Sequence, residues 1–254
     1  MIIIKTKKEI EILREGGKIL GKILDSVIKK VKPGVTTDEL DTYAYELIKK
    51  AGGKPAFLNY QPDGASYPYP ATICISVNDE IVHGIPSNRI LKEGDIVSLD
   101  LGLNYKGMFT DHARTVGVGK VNIKSKKLLA VAEEALYVGI EKARAGNTTG
   151  DIGHAIESFI KPYKYGIVRE LAGHGVGRAI HEDPYIPNFG KAGAGEKLVA
   201  GMVVAIEPMV NDGTASVVFE DDGYTVSTKD GKKSAHFEHT ILITDGEPEI
   251  LTKI

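Results

Sequence analysis

The chain has 254 residues, 42% hydrophobic and 26% charged, with 32 Lys and Arg against 34 Asp and Glu. That length buries a sizeable core without staples, and the composition excludes a disordered or fibrous protein. A formal charge of −2 gives no nucleic-acid footprint, and the single cysteine, Cys74, excludes an internal disulfide framework or a Cys-x-x-Cys metal site.

The N-terminus, Met-Ile-Ile-Ile followed by lysine, is too short an apolar run for a signal-peptide core. No apolar stretch approaches the roughly 18 residues of a membrane span. The expectation is therefore a cytoplasmic protein with no membrane role and no direct nucleic-acid role. Lys5, Lys7 and Lys8 read as a solvated helix start.

The first helix spans about 6–31. Thr6-x-x-Glu9 is its capping box, and Ile10, Leu13, Leu20, Leu24 and Val27 recur at helical spacing. Pro33-Gly34 stops it. Thr36-x-x-Glu39 caps a second helix, which Gly52-Gly53 ends. Segment 53–70, rich in Pro and Gly, is a loop. Predicted strands are 71–77, 95–103, 107–118, 166–172, 202–208, 224–227 and 235–244. A second helix pair, about 125–143 and 151–160, is joined by Ala145-Gly146-Asn147-Thr148-Thr149. This segment aligns with Pro33-Gly34-Val35-Thr36-Thr37 at an offset of 112.

Paired helices and antiparallel runs of strand make the fold class α+β. The shared order of long helix, Gly-x-Thr-Thr and short helix predicts one domain over 1–254. Its half-repeats, about 1–119 and 120–254, are related by a pseudo-two-fold axis.

Asn104-Tyr105-Lys106-Gly107 is a hairpin turn. With Tyr105-Lys106 as the two-residue loop, Asp100 falls directly opposite Asp111. Two like charges so placed need a cation between them. The other reading is a longer, asymmetric loop with one Asp exposed. Glu207 ends the apolar run 202–206, where a buried charge needs a partner. By alternation Glu238 shares a face with His236, Thr240 and Leu242. His174 lies between glycines in Gly173-His174-Gly175-Val176-Gly177, which lets backbone approach a ligand. Each is weak singly; four acids and one imidazole, two acids from each half, form a stronger set. No His-Glu-x-x-His, phosphate loop, dinucleotide fingerprint or Gly-x-Ser-x-Gly elbow competes with them.

These residues resemble the type I methionine aminopeptidases of the pita-bread fold. The motifs that carry the resemblance are 78–86 (Asn-Asp-Glu-Ile-Val-His-Gly-Ile-Pro), 95–100, Thr110-Asp111, Gly173 to Arg178, 206–210 and Glu238-His239-Thr240. The resemblance fills all five metal-ligand positions: Asp100, Asp111, His174, Glu207 and Glu238. It implies two divalent ions per chain (Co, Mn, Fe or Zn), with Asp111 and Glu238 bridging them. It also implies a metal-activated hydroxide that attacks the first peptide bond and removes the N-terminal methionine of nascent chains, with a small uncharged second residue preferred. Glu207, His83 and His181 are the implied catalytic residues. His83 and His181 also contact substrate, and Tyr69, Cys74 and Tyr224 build the methionine pocket. Ile180 stands where many bacterial relatives carry Phe, and the 59–68 loop is longer than usual. A monomer with a transient ribosome contact suits such a substrate.

The 25 residues between His181 and Glu207 leave no room for a type II insertion. Neither an N-terminal extension nor the added domain of X-Pro aminopeptidases and prolidases is expected, because the first helix begins at Thr6. Retention of all five ligands disfavours a non-catalytic binding protein.

Overall fold

A computed structural model describes residues 1–254. Its four helices are α1 (Lys7–Ile28), α2 (Thr37–Lys50), α3 (Ile123–Ile140) and α4 (Thr149–Ile160). Thr6, Thr36 and Thr148 cap α1, α2 and α4 through complete capping boxes with Glu9, Glu39 and Asp151. α3 starts two residues earlier than expected because the Asn122 side chain accepts from the Ser125 N–H.

The two helix pairs share their connections in detail. Gly34 and Gly146 take φ of +93° and +95°, a region glycine enters without penalty. Gly34 N–H donates to Leu91 O at 2.9 Å, and Gly146 N–H donates to Leu198 O at 3.0 Å. The return bonds, Leu91 N–H to Val35 O and Leu198 N–H to Asn147 O, measure 2.9 and 2.8 Å.

Each helix pair covers an antiparallel sheet. α1 and α2 pack Leu20, Leu24, Leu40 and Ile48 onto Val97, Leu99 and Leu101. α3 and α4 pack Ala132, Leu136, Ile152 and Ile156 onto Val204, Ile206 and Ile241. Each of the larger aliphatic side chains contributes about 1.5–3 kcal/mol on burial.

The first sheet joins Lys54–Pro55, Ile96–Tyr105 and Cys74–Val77, with Met108–Gly117 also on the central strand. The second runs Glu249–Ile250, His239–Leu242, Val203–Ile206, Gly173–Gly175, Glu182–Ile186. A small sheet pairs Val226–Thr228 from the second half with Glu80–Val82 from the first. Across the seam, Thr240 Oγ1 accepts from Asp111 N–H at 2.8 Å and donates to Asp111 O at 2.7 Å. Glu238 N–H donates to Ala113 O at 2.9 Å.

The hairpin register differs from the expected one. The loop is Lys106-Gly107, both residues at positive φ, so Tyr105 pairs with Met108 and Asp111 with Gly102. Such turns need positive φ at both loop positions, and glycine supplies the second at no cost. A shift of two residues preserves the faces, so Asp100 and Asp111 are diagonal neighbours on one face rather than directly opposite.

The run 235–244 breaks into Ser234–His236 and His239–Leu242, and 166–172 keeps strand only at Gly166–Ile167. Strands at Lys54–Pro55, Glu80–Val82, Gly173–Gly175, Glu182–Ile186, Met209–Asn211, Val217–Phe219 and Glu249–Ile250 are additional to the expected set, the first within the stretch expected as loop. Lys5 is also corrected. It is buried, and its Nζ meets Glu182 Oε2 at 2.5 Å. No helix is long and apolar enough to cross a membrane.

Candidate active site

The seam between the two sheets holds a cavity of about 160 Å³. Asp100, Asp111, His174, Glu207, Glu238, His83, His181, Tyr69, Cys74 and Tyr224 all line it. Phe57, Tyr60 and Pro62 complete the wall. These three come from the loop after α2, whose unusual length was visible in the sequence but whose inward residues were not.

Asp100 and Asp111 come from one face of the first hairpin. Between them in register sits Gly102, where a Cβ would meet the Phe57 ring at 2.8 Å, so its absence seats Phe57 against the cavity. His174 is the middle residue of Gly173–Gly175. The glycines beside it serve another purpose than ligand approach: a Cβ on either would collide with the carbonyl of Ala205 or Asp183. They let neighbouring strands close around the imidazole. His174 Nδ1 donates to Gly175 O at 2.9 Å, which leaves the Nε2 lone pair free, 3.6 Å from Glu207 Oε1. Glu207 follows Val203–Ile206, and its other oxygen lies 3.6 Å from His236 Nε2. His236 is not among the residues the sequence marks as candidates, although alternation places it on the Glu238 face.

Asp111, His174 and Glu238 each bring one ligand-type atom within 4.8 Å of the others. Burial pushes all four carboxylates well above their ordinary range. Mutual repulsion adds to this at Asp100, Asp111 and Glu238. Burial holds His174 down to about 3 and His83 to about 4, so both are neutral ligands or hydrogen-bond partners at neutral pH. Asp100 Oδ1 and Glu238 Oε1 are buried with no hydrogen-bond partner. Buried carboxylate oxygens with no hydrogen-bond donor, beside a free imidazole lone pair, are a donor set that fits divalent metal.

His83 sits at φ +60° after Glu80–Val82. The following residue, Gly84, donates its N–H to Ser76 Oγ at 3.1 Å. His181 stands exposed at the mouth, its ring edge-on to His174 with centroids 4.5 Å apart. Its Nδ1 is 2.9 Å from Tyr60 Oη.

The apolar wall is held in turn. Tyr69 Oη donates to Gly84 O at 2.9 Å, and the Tyr69 and Tyr224 rings meet edge to face at 5.1 Å. Cys74 is buried, and burial raises its thiol pKa, so it is an apolar wall and no nucleophile. Ile180 packs in the same apolar cluster but does not reach the cavity.

Comparison with known proteins agrees with this arrangement. A model of metallopeptidase family M24 matches residues 11–245. The chain is 48% identical to the methionine aminopeptidase of Clostridium perfringens over 254 residues, with 100% of both covered. The crystal structure of methionine aminopeptidase from Rickettsia prowazekii superposes with a TM-score of 0.96 at 40% identity, both chains covered in full. The prolidase from Pyrococcus furiosus gives 0.77 at 29% identity, with 99% of this chain but 66% of the prolidase covered. The fold is the pita-bread fold of these neighbours, and the chain belongs to the methionine aminopeptidases of metallopeptidase family M24.

Proposed function

We propose that the protein removes the N-terminal methionine from nascent chains whose second residue is small and uncharged, in the cytoplasm, as a monomer. The observation that carries this reading is the juxtaposition of five ligand-type side chains with an aromatic pocket in one cavity. Two divalent ions (Co, Mn, Fe or Zn) are the proposed cofactors. Asp111 and Glu238 would serve both ions, Asp100 one, and His174 with Glu207 the other. Bound there, such ions supply Lewis-acid polarisation of the scissile carbonyl and a nucleophilic water at neutral pH.

The remaining steps belong to this chain's own residues. Glu207, which lines the same cavity, is the carboxylate proposed to accept a proton from water and return it to the leaving nitrogen. His181 and His83, on opposite halves of the molecule, reach the scissile amide and the leaving group. Tyr69, Cys74 and Tyr224, with Phe57 and Tyr60, enclose a flexible thioether side chain, for which aromatic edges are favourable partners. The matched bonds about Gly34 and Gly146 support a single catalytic domain over 1–254 built from half-repeats 1–119 and 120–254. Any transient ribosome contact by the N-terminal basic residues falls to Lys7 and Lys8, since Lys5 is buried.

The test is substrate choice. Reconstituted protein should hydrolyse Met-Ala-Ser far faster than Ala-Pro-Ala; the reverse ratio would move the assignment to the prolidase branch.

A further inference from the structure

Tyr60 lies at the neck of the 60–69 loop, and its surroundings fix it firmly. Its N–H donates to Phe57 O at 2.8 Å, and its carbonyl accepts the Tyr69 N–H at 2.8 Å. Asn59 N–H donates back to Tyr69 O at 2.9 Å, so the loop closes on itself like an Ω-loop. The tip is docked as well: Tyr67 Oη donates to Asp222 O, and Tyr224 Oη donates to Tyr67 O. The two ends of this loop address the two histidines. Tyr69 Oη holds the carbonyl of Gly84, beside His83. Tyr60 Oη is 2.9 Å from His181 Nδ1, with the rings tilted at 5.2 Å between centroids.

We infer that Tyr60 is a positioning residue that sets the tautomer of His181. A neutral phenol is a strong donor and a neutral imidazole nitrogen a strong acceptor, so the bond runs from Tyr60 O–H to His181 Nδ1. Burial raises the Tyr60 pKa, which keeps the phenol protonated. The imidazole proton is then on Nε2, the nitrogen left for substrate. His181 therefore meets the substrate as a donor, and the group it recognises is an acceptor: a peptide carbonyl oxygen rather than an amide N–H. A wrong tautomer in an otherwise intact site is costly, because the hydrogen bond it should make is replaced by lone-pair repulsion. This inference rests on His181 contacting substrate, as proposed above.

The experiment uses enzyme loaded with Zn²⁺, which is diamagnetic, and labelled with ¹⁵N-histidine. In the wild type, His181 should show an unprotonated Nδ1 and a protonated Nε2, assigned by its loss in His181→Ala. Tyr60→Phe keeps the ring and removes the donor. It should give mixed tautomers, full zinc content and kcat lowered about ten- to a hundredfold, with KM changed less than kcat. A protonated Nδ1 in the wild type, or an unchanged tautomer and kcat in Tyr60→Phe, would overturn the inference. If His181→Ala itself leaves kcat unchanged, the reading of His181 fails first, and the two failures are told apart.

Discussion

Each side chain at the seam is defined by what it lacks as much as by what it touches. Asp100 Oδ1 and Glu238 Oε1 receive no hydrogen from the protein, and His174 spends its only N–H on a backbone carbonyl. The same carbonyl bond that fixes the His174 tautomer frees Nε2 as a lone pair, the arrangement a metal-ligating imidazole needs. His181 differs. Its Nδ1 is occupied by a phenol, and its ring stands at the mouth rather than among the carboxylates. These two histidines are 4.5 Å apart, yet their substitutions should diverge. His174→Ala should lose bound metal as well as activity, with loss of metal affinity of at least about 10–100-fold. Elemental analysis after dialysis checks this, with His181→Ala as the control that keeps its metal. Equal metal loss in both variants would show that the division between ligand and substrate contact is misdrawn.

Among the elements, the turn that carries His181 shows how little of the site's support is chemical in the usual sense. Glu182 Oε1 accepts the N–H groups of Arg178 and Ala179 at 2.5 and 3.0 Å, while its Oε2 meets Lys5 Nζ. Both side chains are nearly inaccessible, at 1% for Lys5 and 4% for Glu182. Gly177, at φ +145°, leaves the space that the Lys5 stem fills. Lys5→Met would leave the Glu182 charge buried and unpaired, a change that costs about 3–5 kcal/mol. At about 2–4 °C per kcal/mol for a chain of this size, thermal unfolding should reveal it. Adding Glu182→Gln keeps an acceptor for the two N–H groups while removing the stranded charge, and should recover most of the loss. If the double variant is no more stable than the single one, the pair is not the cause.

The four helices and the caps Thr6 and Thr36 are legible in sequence because capping boxes and periodicity are local, whereas α3 and α4 each begin two residues before the expected start, at the Asn122 and Thr148 caps. The hairpin faces were legible for the same reason. Its register was not, since it depends on which two residues accept positive φ. The burial of Lys5 is not legible because charge predicts solvent exposure unless a partner, here 177 residues away, is known. Phe57, Tyr60 and Pro62 were missed because a loop carries no period that says which residues turn inward.

At the scale of the whole molecule, the two halves are joined through a place that is electrostatically unfavourable on its own. Four largely buried carboxylates from both halves converge on one cavity, and in the absence of metal they resist ionising together, with Asp111 raised to about 7 and Glu207 to about 8. For an acid whose pKa is raised on folding, the stabilising contribution is complete below the unfolded pKa. It is lost as pH rises through the folded one. The buried histidines act in the other direction. His83 and His112 fall to about 4 and His174 and His236 to about 3, so folding is weakened only where the unfolded imidazoles take protons, below roughly pH 6.5. Between about pH 6.5 and 8 the histidines are neutral in both states, and the carboxylates alone control the slope. Metal-free protein should therefore be most stable near pH 6.5 and lose stability steadily toward pH 8. Divalent metal favours the ionised carboxylates and should remove that alkaline decline. The two melting curves should diverge above pH 6.5, and the gap should widen with pH. Thermal unfolding in chelator and in saturating Mn²⁺, from pH 6.5 to 8.5, measures it. A metal-free Tm that stays level or rises across that range would mean that the seam does not hold its acids protonated and that the halves meet without needing a cation.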